Sequence, residues 1–330
     1  MAISYQKIRA CRHRFEWFFF AIATILTTIL FVFILEISFY KDQSVAYIEH
    51  SMVENYKHEH PEARDFSNEQ VLEKLPENEK EIISKVEGLY FPLVLLAPAG
   101  FVLYLFYQIG MMYGGLRADG VRIKPDQFPE VYAIWKEMAD DLGFKKTPDL
   151  FVKNGNGTLN AFATCVPGYR RFGTIYSDIL ERALANQDMQ IIRFILGHEL
   201  GHVRLGHVYW WYFILTAASN LPGIHYFVGL PLSRAREYGC DKIGFELSND
   251  TECKGLLMLA AGKHLYRQVN IVNYEKHQIC HSTVWDNVYN FFIDHPNISW
   301  RVAALRQKRH GDLFLANKRA NQCACHKTST

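Results

Sequence analysis

The stretch "FILGHELGHVRLGH", Phe194 to His207, decides how this sequence is read. An apolar run leads into two histidines four residues apart, with a glutamate directly after the first. On an α-helix, positions four apart differ by about 40° in direction, so His198 and His202 project from one face and can share an ion. Glu199 lies about 100° round from His198, beside that ion without being forced to bind it. H-E-x-x-H on a helix is the pattern in which two histidines hold zinc and the glutamate takes a proton from water. Gly197 and Gly201 flank the ligands and leave room for another backbone to approach. His207 reads as a helix-end or surface histidine and not as a ligand.

Two histidines leave a catalytic zinc one ligand short, since such sites use three protein ligands and keep a fourth position for water. Downstream, "SRAREYGCD", Ser233 to Asp241, places Glu237 and Asp241 four apart on one helix face. Glu237 suits the third ligand, and Asp241 suits an acceptor for the far nitrogen of a ligand histidine. Taken alone, the same stretch also reads as a solvated charge cluster. Cys240, beside the carboxylate, reads as a small buried hydrophobe.

The chain around these motifs is 330 residues long, 49% hydrophobic and close to neutral at +2. The balance hides an asymmetry. Lys7, Arg9, Arg12 and Arg14 occupy the first 14 residues without an acid, whereas Lys41 to Gly88 holds six basic residues against twelve acidic ones. That pattern indicates no nucleic-acid partner. The seven cysteines are Cys11, Cys165, Cys240, Cys253, Cys280, Cys323 and Cys325. Their odd number and irregular spacing argue against a disulfide framework and for a reducing compartment. Cys323, Cys325 and His326 read as part of a polar tail.

Trp17 to Leu35 is a 19-residue uncharged run, and a helix of that length is about 28 Å long, enough to cross the hydrocarbon of a bilayer. It exceeds the apolar core of a signal peptide and no small-residue cleavage site follows, which makes it an uncleaved signal anchor. A second uncharged run, Leu89 to Tyr113, contains Pro92, Pro98 and Gly100, which membrane helices tolerate. The basic N-terminus sets orientation: cytoplasmic N-terminus, two crossings, an acidic outer segment over 41–88, and a return at Arg117, Arg122 and Lys124. Beyond Leu116 the pattern is globular, mainly helical α+β with a small sheet. Pro129 to Leu142 has helical spacing and ends at Gly143; Asp149 to Val152, Thr158 to Thr164 and Gly173 to Tyr176 read as strands around a Pro167, Gly168 turn.

Four motifs in order after two N-terminal spans resemble the HtpX-type membrane zinc metallopeptidases, relatives of the CAAX prenyl endopeptidases. Besides the two motifs above, "LNAFAT" (Leu159 to Thr164) resembles that family's strand before the active helix. "DHPNISWRVAALR" (Asp294 to Arg306) resembles its His-Pro segment with an arginine six residues on. The resemblance implies a zincin-like domain over 117–330 behind a membrane anchor over 1–116, with one zinc per chain at His198, His202 and Glu237. It implies Glu199 as general base, Asp241 in support of a ligand, and His295 and Arg301 near the substrate, where a cation or donor stabilises an oxyanion. Asn160, Ala161, Phe162 and Ala163 form the edge that pairs with the substrate backbone. It also implies a bacterial-type inner or cell membrane.

One departure needs a structural answer. Family members of this type often carry further spans between the histidine helix and the third ligand, yet here only the uncharged stretch Val208 to Leu232 is available. A single crossing would put Glu237 across the bilayer from His198. The expectation is a hairpin broken at Asn220, Leu221, Pro222 and Gly223, dipping into the membrane or packing on other helices. Read together, the sequence is a membrane-anchored endopeptidase acting on polypeptides, foremost membrane proteins. The alternatives are a signalling metallopeptidase with one dedicated substrate and a noncatalytic scaffold that keeps zinc for stability.

Overall fold

A computed structural model describes residues 3–91, 96–166, 170–280 and 283–316. The Pro167, Gly168 turn, part of the second apolar run and the Cys323, Cys325, His326 tail lie outside them. The chain divides into two compact units, Met1–Thr27 with Ile109–Thr330, and Thr28–Gln108.

The larger unit is helical around one small sheet. Its strands are β1 (Val121–Arg122), β2 (Asp149–Lys153), β3 (Ala161–Cys165) and β4 (Arg171–Tyr176), in the spatial order β1-β2-β4-β3. β2 and β4 run parallel, while β1 and β3 pair antiparallel on either side. The expected first helix is present as Pro129–Asp141, with proline at its start and Gly143 in the left-handed region at φ 74 just beyond its end. Its apolar stripe, Val131, Ile134, Trp135 and Met138, is buried, and the Trp135 indole N–H donates to Pro148 O at 2.8 Å. A buried tryptophan is thereby left with no unmet donor.

At the centre lie two long helices. The histidine helix, Met189–Leu205, carries the H-E-x-x-H motif; the carboxylate helix, Leu230–Ser248, carries Glu237 and Asp241. Their crossing is a glycine seam. A Cβ at Gly197 would lie 3.1 Å from Gly244 Cα, one at Gly201 would lie 3.3 Å from Cys240 Cα, and one at Gly244 would meet Phe194 O at 2.7 Å. The glycines bring the two backbones closer than side chains allow, and this sets the depth at which the ligand-bearing faces meet. Ile8 and Cys11, from the N-terminal helix Tyr5–Cys11, belong to the same core as the motif helix.

Between the two long helices the uncharged stretch is indeed folded back on itself. Trp210–Leu215 is a helix and Ala217–Asn220 a 3-10 turn; Gly223 takes φ 82, and His225–Gly229 is a π-turn feeding the carboxylate helix. Its inner side packs on the first apolar helix: the Phe20 and Tyr212 rings meet at a tilt with centroids 4.8 Å apart, and Ala218 N–H donates to Thr27 Oγ1 at 3.1 Å.

Among the described residues, two helices are long and apolar enough to cross a membrane, with windows at Glu16–Glu36 and Pro98–Asp119. The second departs from the expected Leu89–Tyr113: its helix, Ala97–Asp119, continues through Gly114 and Gly115. The reason is packing, because Tyr113 and Leu116 are buried with Phe151 and Phe172 of the sheet. In the smaller unit the acidic segment is helical, Lys41–Glu59, Asn68–Lys74 and Glu77–Phe91, around buried Val53, Val71 and Leu75.

Candidate metal centre

The seam places His198, His202 and Glu237 so that one donor atom from each lies within 4.8 Å of the others. His198 Nε2 and His202 Nε2 are 3.2 Å apart, and each is 3.3 Å from a Glu237 oxygen. Glu237 Oε2 is buried and accepts no well-aligned hydrogen bond, although His198 Nε2 lies 3.3 Å and Arg301 Nη2 3.6 Å away. A carboxylate withdrawn from water is costly unless cationic partners surround it, and a metal ion between the two imidazoles would add to them. Two imidazoles and a carboxylate at this separation match the three-ligand set of a catalytic zinc, so the residues fit the ion that the sequence implies.

Each histidine is held from behind. His198 Nδ1 donates to Asp241 Oδ1 at 2.9 Å, which turns Nε2 toward Glu237. Arg301 grips the same carboxylate through Nε at 2.7 Å and Nη2 at 2.6 Å. Burial works against a charged His198, but the Glu237 and Asp241 carboxylates outweigh it and raise the ring to about 10. The Asp241 carboxyl is itself lowered: its burial is overcome by Arg301 and His198.

Of the two places the sequence left open for His207, helix end or surface, the structure puts it at the helix end, where it is buried. Gly206, in the left-handed region at φ 88, stops the histidine helix. His207 N–H then bonds back to His202 O at 3.0 Å and Gly206 N–H to Val203 O at 3.3 Å, a Schellman turn that folds His207 against its own helix. Its Nδ1 sits 3.2 Å from His202 Nδ1 and its Nε2 3.0 Å from Glu16 Oε1. Burial, with the Arg236 and Arg12 guanidiniums, holds His207 well below its ordinary range, so the ring is neutral. Cys240 Sγ lies 3.7 Å from His207 Nδ1. Burial and the surrounding carboxylates, Glu237 first, push this thiol up.

A cavity of about 190 Å³ opens on the cluster, lined by Glu199, His198, Glu237, His295, Arg301, Asn160 and Ala161. His295 is exposed, with Nε2 3.6 Å from Glu237 Oε1 and Nδ1 2.8 Å from Asp294 Oδ1. The backbone that presents it is tied down by buried Arg234, which donates to Asn290 O, to Phe291 O at 3.2 Å and to Ile293 O at 2.8 Å. Arg301 lines the same cavity, and its Nη2 also lies 3.6 Å from Glu237 Oε2. Its guanidinium is buried, with its two short hydrogen bonds going to Asp241.

β3 forms a free edge among the described residues. Tyr176 N–H donates to Asn160 O and Val166 N–H to Arg170 O, which makes the even-numbered residues of β3 the hydrogen-bonded partners of β4. The backbone groups of Ala161 and Ala163 therefore point outward, and Ala161 lines the cavity.

The family model for peptidase family M48 matches residues 125–218 and 212–309, more than half of the chain. The chain belongs to peptidase family M48. Its M48 region contains both ligand motifs, the edge strand and the His295 segment. The M48 chain is also similar to the "Plastoglobule-localized metallopeptidase 48, chloroplastic" of Arabidopsis thaliana, 26% identical over 153 residues, 43% of each chain. It thus spans under half the length of that relative. No solved structure matches it.

Proposed function

We propose that this M48 protein is a zinc-dependent endopeptidase with His198, His202 and Glu237 as ligands and Glu199 as general base. The observation that carries the reading is the convergence of His198 Nε2, His202 Nε2 and the buried Glu237 carboxylate on one point. Zinc bound there supplies a water of lowered pKa and a Lewis acid for the scissile carbonyl. Glu199, on the wall of the same cavity, takes the proton from the attacking water and delivers it to the departing amine. The outward N–H and C=O groups of Ala161 and Ala163 hold the substrate as an added strand, which favours extended polypeptide over any particular sequence. His295 stands at the cavity mouth as the donor to the carbonyl oxygen; Arg301 keeps Asp241, and through it His198, in place.

The two apolar helices and the outward aromatic residues of the 208–232 hairpin, Trp210, Phe213 and Phe227 among them, support a membrane-anchored protein. The basic N-terminus supports a cytoplasmic catalytic unit, and tethering at the bilayer favours exposed segments of membrane proteins, as in quality control. Detergent-purified wild type and Glu199→Gln, assayed on an unfolded model protein with metal content measured on both, test the reading. Wild type is expected to cut, and the variant to hold one zinc and lose about 10²- to 10⁴-fold in rate. Equal rates would remove Glu199 as the base.

A further inference from the structure

Every partner named so far for the ligand set comes from the M48 region, yet His202 leans on a residue far outside it. With Nε2 turned toward Glu237, His202 keeps its proton on Nδ1. That proton points at His207 Nδ1, 3.2 Å away, which must accept it. His207 then carries its own proton on Nε2, and this donates to Glu16 Oε1 at 3.0 Å. The pairing fixes the tautomer of each ring in turn. Glu16 is buried, is gripped by Arg12 four residues earlier, and is the first residue of the first apolar helix. Arg12 also donates to Leu205 O, one of the last carbonyls of the histidine helix. The chain Glu16–His207–His202 thus mirrors Asp241–His198, with a histidine inserted between carboxylate and ligand.

We infer that Glu16 and His207 are positioning residues for the metal ligand His202, so that the head of the first membrane helix forms part of the metal centre. The inference rests on the zinc reading above. Its chemistry is that of outer-shell partners, which orient a ligand ring and raise its basicity, and whose loss weakens metal binding about 10- to 100-fold. The geometry has two independent supports. The Schellman turn at Gly206 delivers the His207 ring to His202, and Arg12 ties the segment bearing Glu16 to the same helix end. The competing arrangement is a second ligand set of His202, His207 and Cys240, whose donor atoms also lie within 4.8 Å of one another.

The test uses the full-length protein in detergent, loaded with Zn²⁺ or Co²⁺, with affinity read by chelator competition and the cobalt absorption spectrum recorded. Only monodisperse, folded fractions are compared. His207→Ala and Glu16→Ala are expected to weaken Zn²⁺ binding at least tenfold and to alter the cobalt bands. Glu16→Gln, whose amide oxygen still accepts from His207, is expected to recover most of the loss. His13→Asn supplies the structural control. The His13 ring is buried, hydrogen-bonds Gly311 O at 3.3 Å and accepts from Phe15 N–H at 3.2 Å; its one tie to Glu16 is the backbone bond from Glu16 N–H to His13 O, which the substitution keeps, so affinity and spectrum should be unchanged. Wild-type affinity and spectrum in both alanine variants would overturn the inference while leaving the zinc reading intact. An intense thiolate charge-transfer band, lost in Cys240→Ala, would overturn it in favour of the second ligand set. Absence of metal on wild type would remove the centre, and the inference with it.

Discussion

Gly244→Ala tests whether the glycine seam sets the metal geometry. The added Cβ would sit 2.7 Å from Phe194 O and 3.1 Å from His198 N. Both neighbours are backbone of the histidine helix, so no side chain can rotate away. To restore an ordinary contact of 3.4 Å the helices must part by about 0.7 Å. A functional constellation tolerates displacements of about 0.5 Å, and overpacking of this kind costs about 1–3 kcal/mol. Because Gly244 and Glu237 share a helix, parting the helices carries Glu237 away from both histidines. The variant is therefore expected to lower Tm and also to weaken zinc binding about tenfold or more. Chelator competition and thermal unfolding, each with and without zinc, read the two effects separately. Gly88→Ala is the matched control: it is also helical, its Cβ would meet nothing within 4 Å, and it should stabilise by up to about 1 kcal/mol. Unchanged metal affinity in Gly244→Ala would refute the claim that this seam sets the ligand spacing.

Asp241→Asn leaves buried Arg301 without its carboxylate, and is expected to destabilise the fold by about 3–5 kcal/mol and to weaken zinc binding 10- to 100-fold, read by unfolding and chelator competition. Ala163→Pro removes an outward N–H from β3 without touching its ladder to β4; the fold should survive while KM for an unstructured substrate rises. Zinc affinity should increase with pH across about 6 to 9, since the proton held on His198, raised to about 10, must leave before the ring can bind. His13, lowered to about 4 chiefly by burial, is neutral when folded. The unfolded chain binds the extra proton below about 6.5, so stability should fall as pH drops from there toward 4, by about 3 kcal/mol in all, and His13→Asn should flatten that slope in a Tm-against-pH series.

The parts of the site that were legible in the sequence are those whose logic is local. His198, Glu199 and His202 announce themselves by helical spacing and ligand chemistry, and Glu237 with Asp241 by the same spacing once a third ligand is sought. Gly197 and Gly201 were readable as points of close approach, although their partners, Gly244 and Cys240, were not. His207 shows the limit. Gly206 signals a helix stop, and a left-handed glycine turns the next residue back; but the burial of that residue depends on Glu16, 191 positions earlier. Arg301 was placed near the substrate because its segment carries a His-Pro motif; it lines the cavity, and only the fold shows that Asp241 also takes its guanidinium. The two-residue strand β1 has no periodicity to detect. β3 begins at Ala161 and not at Thr158 because Asn156 and Gly157 take positive φ, and Gly157 N–H is held by Asp178 at 3.0 Å.

The two proposed histidine ligands draw their support from opposite parts of the chain. His198 is fixed by Asp241 and Arg301, both inside the residues that define the M48 match. His202 leans on His207 and, through it, on Glu16 and Arg12, which lie outside that match. Residues 125–309 by themselves therefore hold all three ligands but only half of the scaffolding behind them. The same segment also lacks Ile8 and Cys11, which close the core over the carboxylate helix. Removing the N-terminal helices would thus expose apolar core and leave His207 Nε2–H buried without an acceptor, a loss of about 1–3 kcal/mol for the unmet donor alone. On this reasoning the first apolar helix is more than a tether. On the proposed reading its head, Glu16, completes the support of His202.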